Sequence, residues 1–251
     1  MLRDIGISFD GSSRVLDGLN LDVAPSEIIA LVGASGCGKS TLLRAIAGLQ
    51  PIIQGSIQRS GEVGNGHLGD VSFVFQDATL LPWRTVLENV ALPLELRAAE
   101  SKRTLSKFDK NERVSNALRS VELTTDSWDR YPRQLSGGMR MRTSIARALV
   151  TNPSLLLLDE PFAALDDILR TKLNTLLLKL WQTQKQTILF VTHNIAEAVW
   201  LSHRIAVVGN KQVDRILNNS LAWPRTTELR STLEFAQQYG RVSQALMEAG
   251  S

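Results

Sequence analysis

Cysteine is almost absent from this 251-residue chain. Cys37 stands alone, which excludes an intrachain disulfide framework and suits a reducing compartment. Long apolar runs are missing too: no stretch approaches the roughly 18–20 residues that a membrane-spanning helix needs. Charge of one sign is not in excess, with 28 Lys and Arg against 25 Asp and Glu. The basic residues are scattered rather than clustered, which argues against a nucleic-acid partner. Arg3 and Asp4 interrupt the start, so no signal peptide is expected. No internal repeat is visible. What remains is a chain with 43% hydrophobic and 21% charged residues, ordinary for a globular domain and long enough to bury a substantial core.

The chemistry begins at Gly33-Ala34-Ser35-Gly36-Cys37-Gly38-Lys39-Ser40-Thr41, which fits G-x-x-x-x-G-K-[ST]. The apolar run Ile28–Val32 precedes it. Residues 42–47 after it read as a helix that Gly48 is placed to end. Strand, glycine-rich loop and helix together form the context in which backbone N–H groups wrap an anionic phosphate and a helix N-terminus adds partial positive charge. Lys39 is then placed to reach outer phosphates and Ser40 to ligate Mg²⁺. Cys37 reads as a small loop residue.

Leu155-Leu156-Leu157-Leu158-Asp159-Glu160 is a second signal. A fully apolar run this short suits a strand buried on both faces of a parallel sheet. Asp159 then emerges at the C-terminal end of the strand, where open α/β sheets bind ligands, and can hold Mg²⁺ directly or through water. Glu160 can orient and deprotonate an attacking water. The third signal is Leu135-Ser136-Gly137-Gly138-Met139. Ser136 and the two glycines open an amphipathic helix through residue 149, a second anion-binding helix start.

The P-loop, L-S-G-G-M and L-L-L-L-D-E, in this order, resemble the ATP-binding cassette of ABC transporters, from about residue 2 to residue 217. The resemblance implies an α/β fold: a P-loop NTPase core with a mainly parallel sheet, N-terminal antiparallel strands and an inserted α-helical subdomain. It implies one cassette over residues 1–251, with a catalytic core at 1–76 and 151–217, a helical subdomain at 77–150 and a short C-terminal tail at 218–251, expected as a helix packed on the core. It implies ATP and Mg²⁺ as cofactors. Glu160, His193 and Lys39 are the catalytic residues. The nucleotide set is Phe9, Gly33, Ser35, Gly36, Cys37, Gly38, Lys39, Ser40, Thr41, Gln76, Ser136, Gly137 and Gly138, with Phe9 as an aromatic that stacks on adenine. Ser40, Gln76 and Asp159 are the metal set. Gln76 resembles the Q-loop glutamine, His193 the switch histidine and Ala164-Leu165-Asp166 the D-loop.

Two positions depart from the family pattern. Ala163-Ala164 stands where many relatives carry a serine, and Ser26 stands where a glycine is usual. Residues 76–90, running through Leu81-Pro82-Trp83-Arg84, resemble the form found in importers of nitrate, sulfonates and taurine and in those of pyrimidine precursors. Trp83 is either a core residue or an exposed aromatic in a docking groove. The partners implied are transmembrane permease subunits, a second ATP-binding subunit forming a homodimer, and, indirectly, a periplasmic or extracellular solute-binding protein. The place implied is the cytoplasmic face of the plasma membrane. The alternative is the ATPase of an exporter or envelope-remodelling complex. Residues 61–70 read as a flexible loop with an inert His67. The leucines at 169, 173, 176, 177 and 180 mark a helical core stripe.

Overall fold

The computed structural model describes residues 1–9, 13–58, 71–101 and 106–250. The expected loop at 61–70, with His67, and residues 102–105 of the charged stretch lie outside them. Two compact units divide the chain.

The first unit comprises Met1–Leu68, Leu157–Glu160 and Lys185–Ser251. Its N-terminal strands β1 (Leu2–Ser8), β2 (Arg14–Leu21) and β4 (Gln54–Ile57) form an antiparallel sheet in the order β2-β1-β4. A second sheet carries β3 (Ile28–Val32), β7 (Thr187–Val191), β8 (Arg204–Gly209) and β9 (Gln212–Asn218). β3 lies between β7 and β8 and is parallel to both, Ile29 facing Leu189 and Arg204. All five residues of β3 are buried, as an unalternated Ile-Ile-Ala-Leu-Val run requires when both faces are covered. The end of β6 (Leu155–Asp159) adds the strand on the far side of β7. β9 returns antiparallel to β8 through a tight turn at Asn210 and Lys211, both at positive φ.

Three helices complete this unit. α1 (Lys39–Ile46) stops where expected: Gly48 takes φ 75°, and Gly48 N–H and Leu49 N–H donate back to the carbonyls of Ala45 and Arg44. α6 (Ile195–Leu201) packs on β3, and α7 (Leu233–Ala249) packs on α6, β8 and β9. The tail is therefore a helix docked on the core, and at 17 residues it is one of the longer helices in the fold.

The second unit comprises Gly69–Leu156 and Pro161–Gln184. It holds β5 (Val71–Val74), the start of β6, and α2 (Val86–Ser101), α3 (Lys107–Ser120), α4 (Gly137–Leu149) and α5 (Asp167–Gln184). α2, α3 and α4 pack on one another through Val86, Val90, Val114, Leu118, Met141 and Ile145, all buried. The α5 stripe is buried at Leu173, Leu176, Leu177 and Leu180. Leu169 is half-buried instead, because it closes over α4: a Cβ built on Gly138 would sit 2.7 Å from Leu169 Cδ1. A side chain at 138 therefore needs the half-buried Leu169 side chain to give way. Gly138→Ala should change stability by no more than about 1 kcal/mol, the helix propensity gained offsetting the shift of Leu169, read from urea unfolding.

His203 ties the first unit together at the entry to β8. Its Nδ1 accepts from Ile28 N–H at 3.0 Å, and its ring stacks on Trp223 with centroids 4.7 Å apart. Burial, and next to it the Arg225 cation, hold its pKa below the ordinary 6.5. The unfolded chain therefore takes up this proton first as pH falls. The contribution of His203 to stability is complete above about pH 6.5 and is lost as pH falls below it. The urea midpoint should drop between about pH 7.5 and about pH 5.5. His203→Asn, which keeps an acceptor and does not titrate, should flatten that drop.

Candidate functional site

The glycine-rich loop runs from the end of β3 into α1. Its backbone is held open by position-specific glycines: Gly36 and Gly38 take φ 80° and 100°, conformations costly for other residues. A Cβ on Gly38 would also meet Leu16 Cδ2 at 2.7 Å, and one on Gly33 would meet the Val208 carbonyl oxygen at 2.3 Å. Ser35 is exposed, while Cys37, Ser40 and Thr41 are half-buried. Among the described residues the other six α-helices each start at a side-chain cap, from Thr85, Ser106, Ser136, Asp166, Asn194 and Thr232. α1 starts at Gly38 with no such cap. Its first N–H groups therefore remain suited to an external anion.

Lys39 lies 6% exposed and folds back on its own loop. Its ammonium donates to the Gly33 and Ala34 carbonyls at 2.9 and 2.7 Å and lies 3.5 Å from Cys37 Sγ. A phosphate oxygen drawing Lys39 outward has to replace those carbonyls.

At the end of β6, Asp159 is buried and accepts from Ser40 Oγ at 2.6 Å. Arg44 approaches its other oxygen at 4.0 Å. Hydroxyl and carboxylate thus meet at the start of α1, the donor pair that Mg²⁺ shares with phosphate oxygens and water. No group of three or more His, Cys, Asp or Glu is gathered for a metal among the described residues.

Glu160 adopts φ 47°, the left-handed region, and its N–H donates to the Val191 carbonyl at 3.1 Å. That turn carries the carboxylate out of the strand line to His193, whose Nδ1 lies 3.1 Å from Glu160 Oε2. The histidine side chain is 60% exposed and that of Glu160 is 26% exposed. Both groups remain open to solvent. Residues on either side fix His193. Asn194 N–H donates to Thr192 Oγ1, Thr192 Oγ1 donates to buried Glu197 at 2.6 Å, and Asn194 Oδ1 accepts from Glu197 N–H to cap α6.

The structure thus brings Lys39, Ser40, Asp159, Glu160 and His193 together at one end of the sheet in the first unit. Phe9, just past β1, is 67% exposed and so is no core residue. Gln76 is exposed immediately after β5. In the second unit, Ser136 is exposed and caps α4 by accepting from Met139 N–H at 3.3 Å. Gly137 is half-buried and Gly138 buried. A Cβ on Gly137 would meet only Leu165 Cδ2 and Arg140 Nη2, both beyond 3.6 Å. Packing inside this chain does not demand glycine at 137. Asp166 caps α5 through Leu169 N–H at 2.9 Å.

Two residues with no predicted role prove central to the second unit. Arg147, on α4, donates to the Ala78 carbonyl and to the carbonyl and hydroxyl of Thr79, binding the segment after Gln76 to α4. Asn89, on α2, is fully buried and makes four bonds: its amide nitrogen donates to the carbonyls of Leu81, Arg84 and Thr85, and its Oδ1 accepts from Leu81 N–H. Trp83 stands 71% exposed at the tip of the turn so held, which excludes the core reading for it. A polar residue among the apolar positions of a helix, between Val86 and Val90, was the available signal for Asn89. Asn89→Ala should cost about 2–4 kcal/mol and speed hydrogen exchange of the Leu81 amide.

Comparison with known proteins converges on one family. The family description "ABC transporter" matches residues 16–163. The chain is 40% identical over 245 residues to an uncharacterized ABC transporter ATP-binding protein of Methanocaldococcus jannaschii, covering 96% of this chain and 87% of that one. It is 40% identical over 225 residues to the aliphatic sulfonates import ATP-binding protein SsuB of Bacillus subtilis, covering 89% and 83%. Its fold matches the dimeric post-hydrolysis state of the ATP-binding cassette MJ0796 bound to ADP and Pi. That match has a TM-score of 0.75 at 31% identity, covering 88% of this chain and 99% of that one. With the mixed, mostly parallel sheet, the three-stranded antiparallel sheet and the geometry around residues 33–41, 159, 160 and 193, these likenesses settle the assignment: the chain belongs to the ABC transporter family and is an ATP-binding cassette ATPase.

Proposed function

We propose that this chain energises the import of a small anionic solute of the aliphatic sulfonate type through a membrane permease. The likeness to SsuB proteins of several bacteria supports the substrate class, and the exposed Trp83 on its pinned turn supports the docking role. The observation that carries the catalytic reading is the cluster itself: Ser40 bonded to Asp159, and Glu160 paired with His193, beside an uncapped helix start.

In this reading the N–H groups at residues 33–41 take the phosphates, Phe9 stacks on the adenine, and Lys39 exchanges the Gly33 and Ala34 carbonyls for phosphate oxygens. Mg²⁺, when bound, would neutralise charge on the outer phosphates; Ser40 and Asp159 would hold it, with Gln76 as the further ligand that the family resemblance implies. Glu160 orients the attacking water and takes its proton. His193 positions the leaving phosphate and steadies Glu160. Catalysis here is mainly placement and charge compensation.

The catalytic core is proposed as residues 1–76 and 151–217, the helical subdomain as 77–150 and the tail as 218–251. The two units also show one part of the chain interrupted by another, but they group residues 69–76, 151–156 and 161–184 of the proposed core with the insertion. Two copies arranged head to tail bring Ser136, Gly137 and Gly138 of one to the nucleotide of the other. The exposed Ser136 and a glycine at 137 that no internal packing demands support this arrangement. The Ala163-Ala164 departure removes one hydroxyl from that contact. The permease and, indirectly, a solute-binding protein complete the assembly at the cytoplasmic face of the membrane. No helix among the described residues is long and apolar enough to cross a membrane, in keeping with a peripheral subunit.

Glu160→Gln should reduce ATP turnover at least about a hundredfold while sparing ATP binding. By light scattering it should dimerise on adding Mg-ATP. A variant with undiminished turnover overturns the assignment of Glu160 as the base. Import itself is tested by growth on an alkanesulfonate as sole sulfur source, lost in the same variant.

A further inference from the structure

Behind the catalytic cluster, α6 is anchored at its far end by residues of the tail. The last carbonyls of a helix have no intrahelical partner. Here they are claimed by two side chains from beyond β9. Arg225 Nη1 donates to the carbonyls of Val199, Trp200 and Ser202 at 3.2, 3.0 and 2.6 Å. Its Nη2 donates to the Leu221 carbonyl at 3.2 Å. Asn219 Nδ2 donates to the carbonyls of Val199 and Ser202 at 2.6 and 2.8 Å. Arg225 is 5% exposed, and its guanidinium lies 4.3 Å from the ring centre of Trp223. Trp223 in turn stacks on His203, which is bonded to the first residue of β3.

A buried cation facing helix-end carbonyls is strongly placed: the guanidinium shares the Val199 and Ser202 carbonyls with Asn219, adds the Trp200 carbonyl, and complements the negative end of the helix dipole. The opposite end of α6 carries His193. Thr192 and Asn194, its neighbours in sequence, are both bonded to Glu197 in the first turn of α6. A seven-residue helix fixed at one end by Arg225 and Asn219 and at the other by Thr192 and Asn194 moves as one body. Its position sets that of His193 against Glu160.

We propose that Arg225, assisted by Asn219, is a positioning residue for the reaction: the tail sets the switch histidine by clamping the C-terminal end of α6. The catalytic role of His193 under "Proposed function" is the premise, and the experiment separates the two.

The full chain holds three histidines, so their ring Cε1–H resonances can be assigned by single substitutions. Four variants are compared with the parent: Arg225→Met, Arg225→Lys, Asn219→Ala and His193→Ala. In Arg225→Met the His193 resonance should shift and broaden, and turnover should fall about tenfold with ATP affinity within about twofold. Arg225→Lys, which keeps a cation at the carbonyls, should recover part of both, and Asn219→Ala should show a weaker version of the same change. Combining Arg225→Met with His193→Ala should slow turnover no further than His193→Ala alone. An unmoved His193 resonance in Arg225→Met and Asn219→Ala, or losses that multiply in the double variant, overturns the inference. If His193→Ala turns over ATP as fast as the parent, it is the premise about His193 that fails, whatever the resonances do.

Discussion

A carboxylate buried at the end of a strand of leucines is the constraint around which this site is arranged. A carboxylate in such surroundings needs partners for both of its oxygens. Within the fold, Ser40 Oγ donates one short bond and Arg44 stands at 4.0 Å. That leaves Asp159 with acceptor capacity for the divalent ion proposed above. The same burial dictates the strand: Leu155–Asp159 is apolar up to its last residue because both faces are covered, and the acid appears where the cover ends. α1 must then begin opposite it, which places the glycine-rich loop at the same sheet end.

Much of this could be read from the sequence because it depends on short-range pattern. The unalternated apolar runs at 28–32 and 155–158 are strands, Gly48 ends α1, and Ser136 caps α4, all as local chemistry predicts. The arrangement of Lys39, Ser40, Asp159, Glu160 and His193 follows from motif order once a parallel sheet is granted. The dual reading of Trp83 was decided by the fold, since exposure depends on what Asn89 does to the preceding turn and not on the tryptophan itself.

What could not be read depends on side chains bonded to distant backbone. Arg225 reaches carbonyls 23–26 residues away, and Arg147 reaches Ala78 and Thr79 across 68–69 residues. Such bonds leave no period in the sequence, and an arginine in a tail reads like any solvated cation. The inward fold of Lys39 was equally hidden. Sequence names the residue that meets the phosphate but not which carbonyls it grips meanwhile, and those carbonyls stand in for the ligand by occupying the ammonium's donors.

The backbone of Glu160 adds a cost of another kind. A side-chain-bearing residue held at φ 47° stores on the order of 1 kcal/mol of strain, and a glycine there would release it. Selection for thermal robustness alone would therefore drift toward replacing the very group proposed as the base. Libraries screened only for melting temperature should discard activity at this position first, and consensus stabilisation of this chain has to leave position 160 untouched.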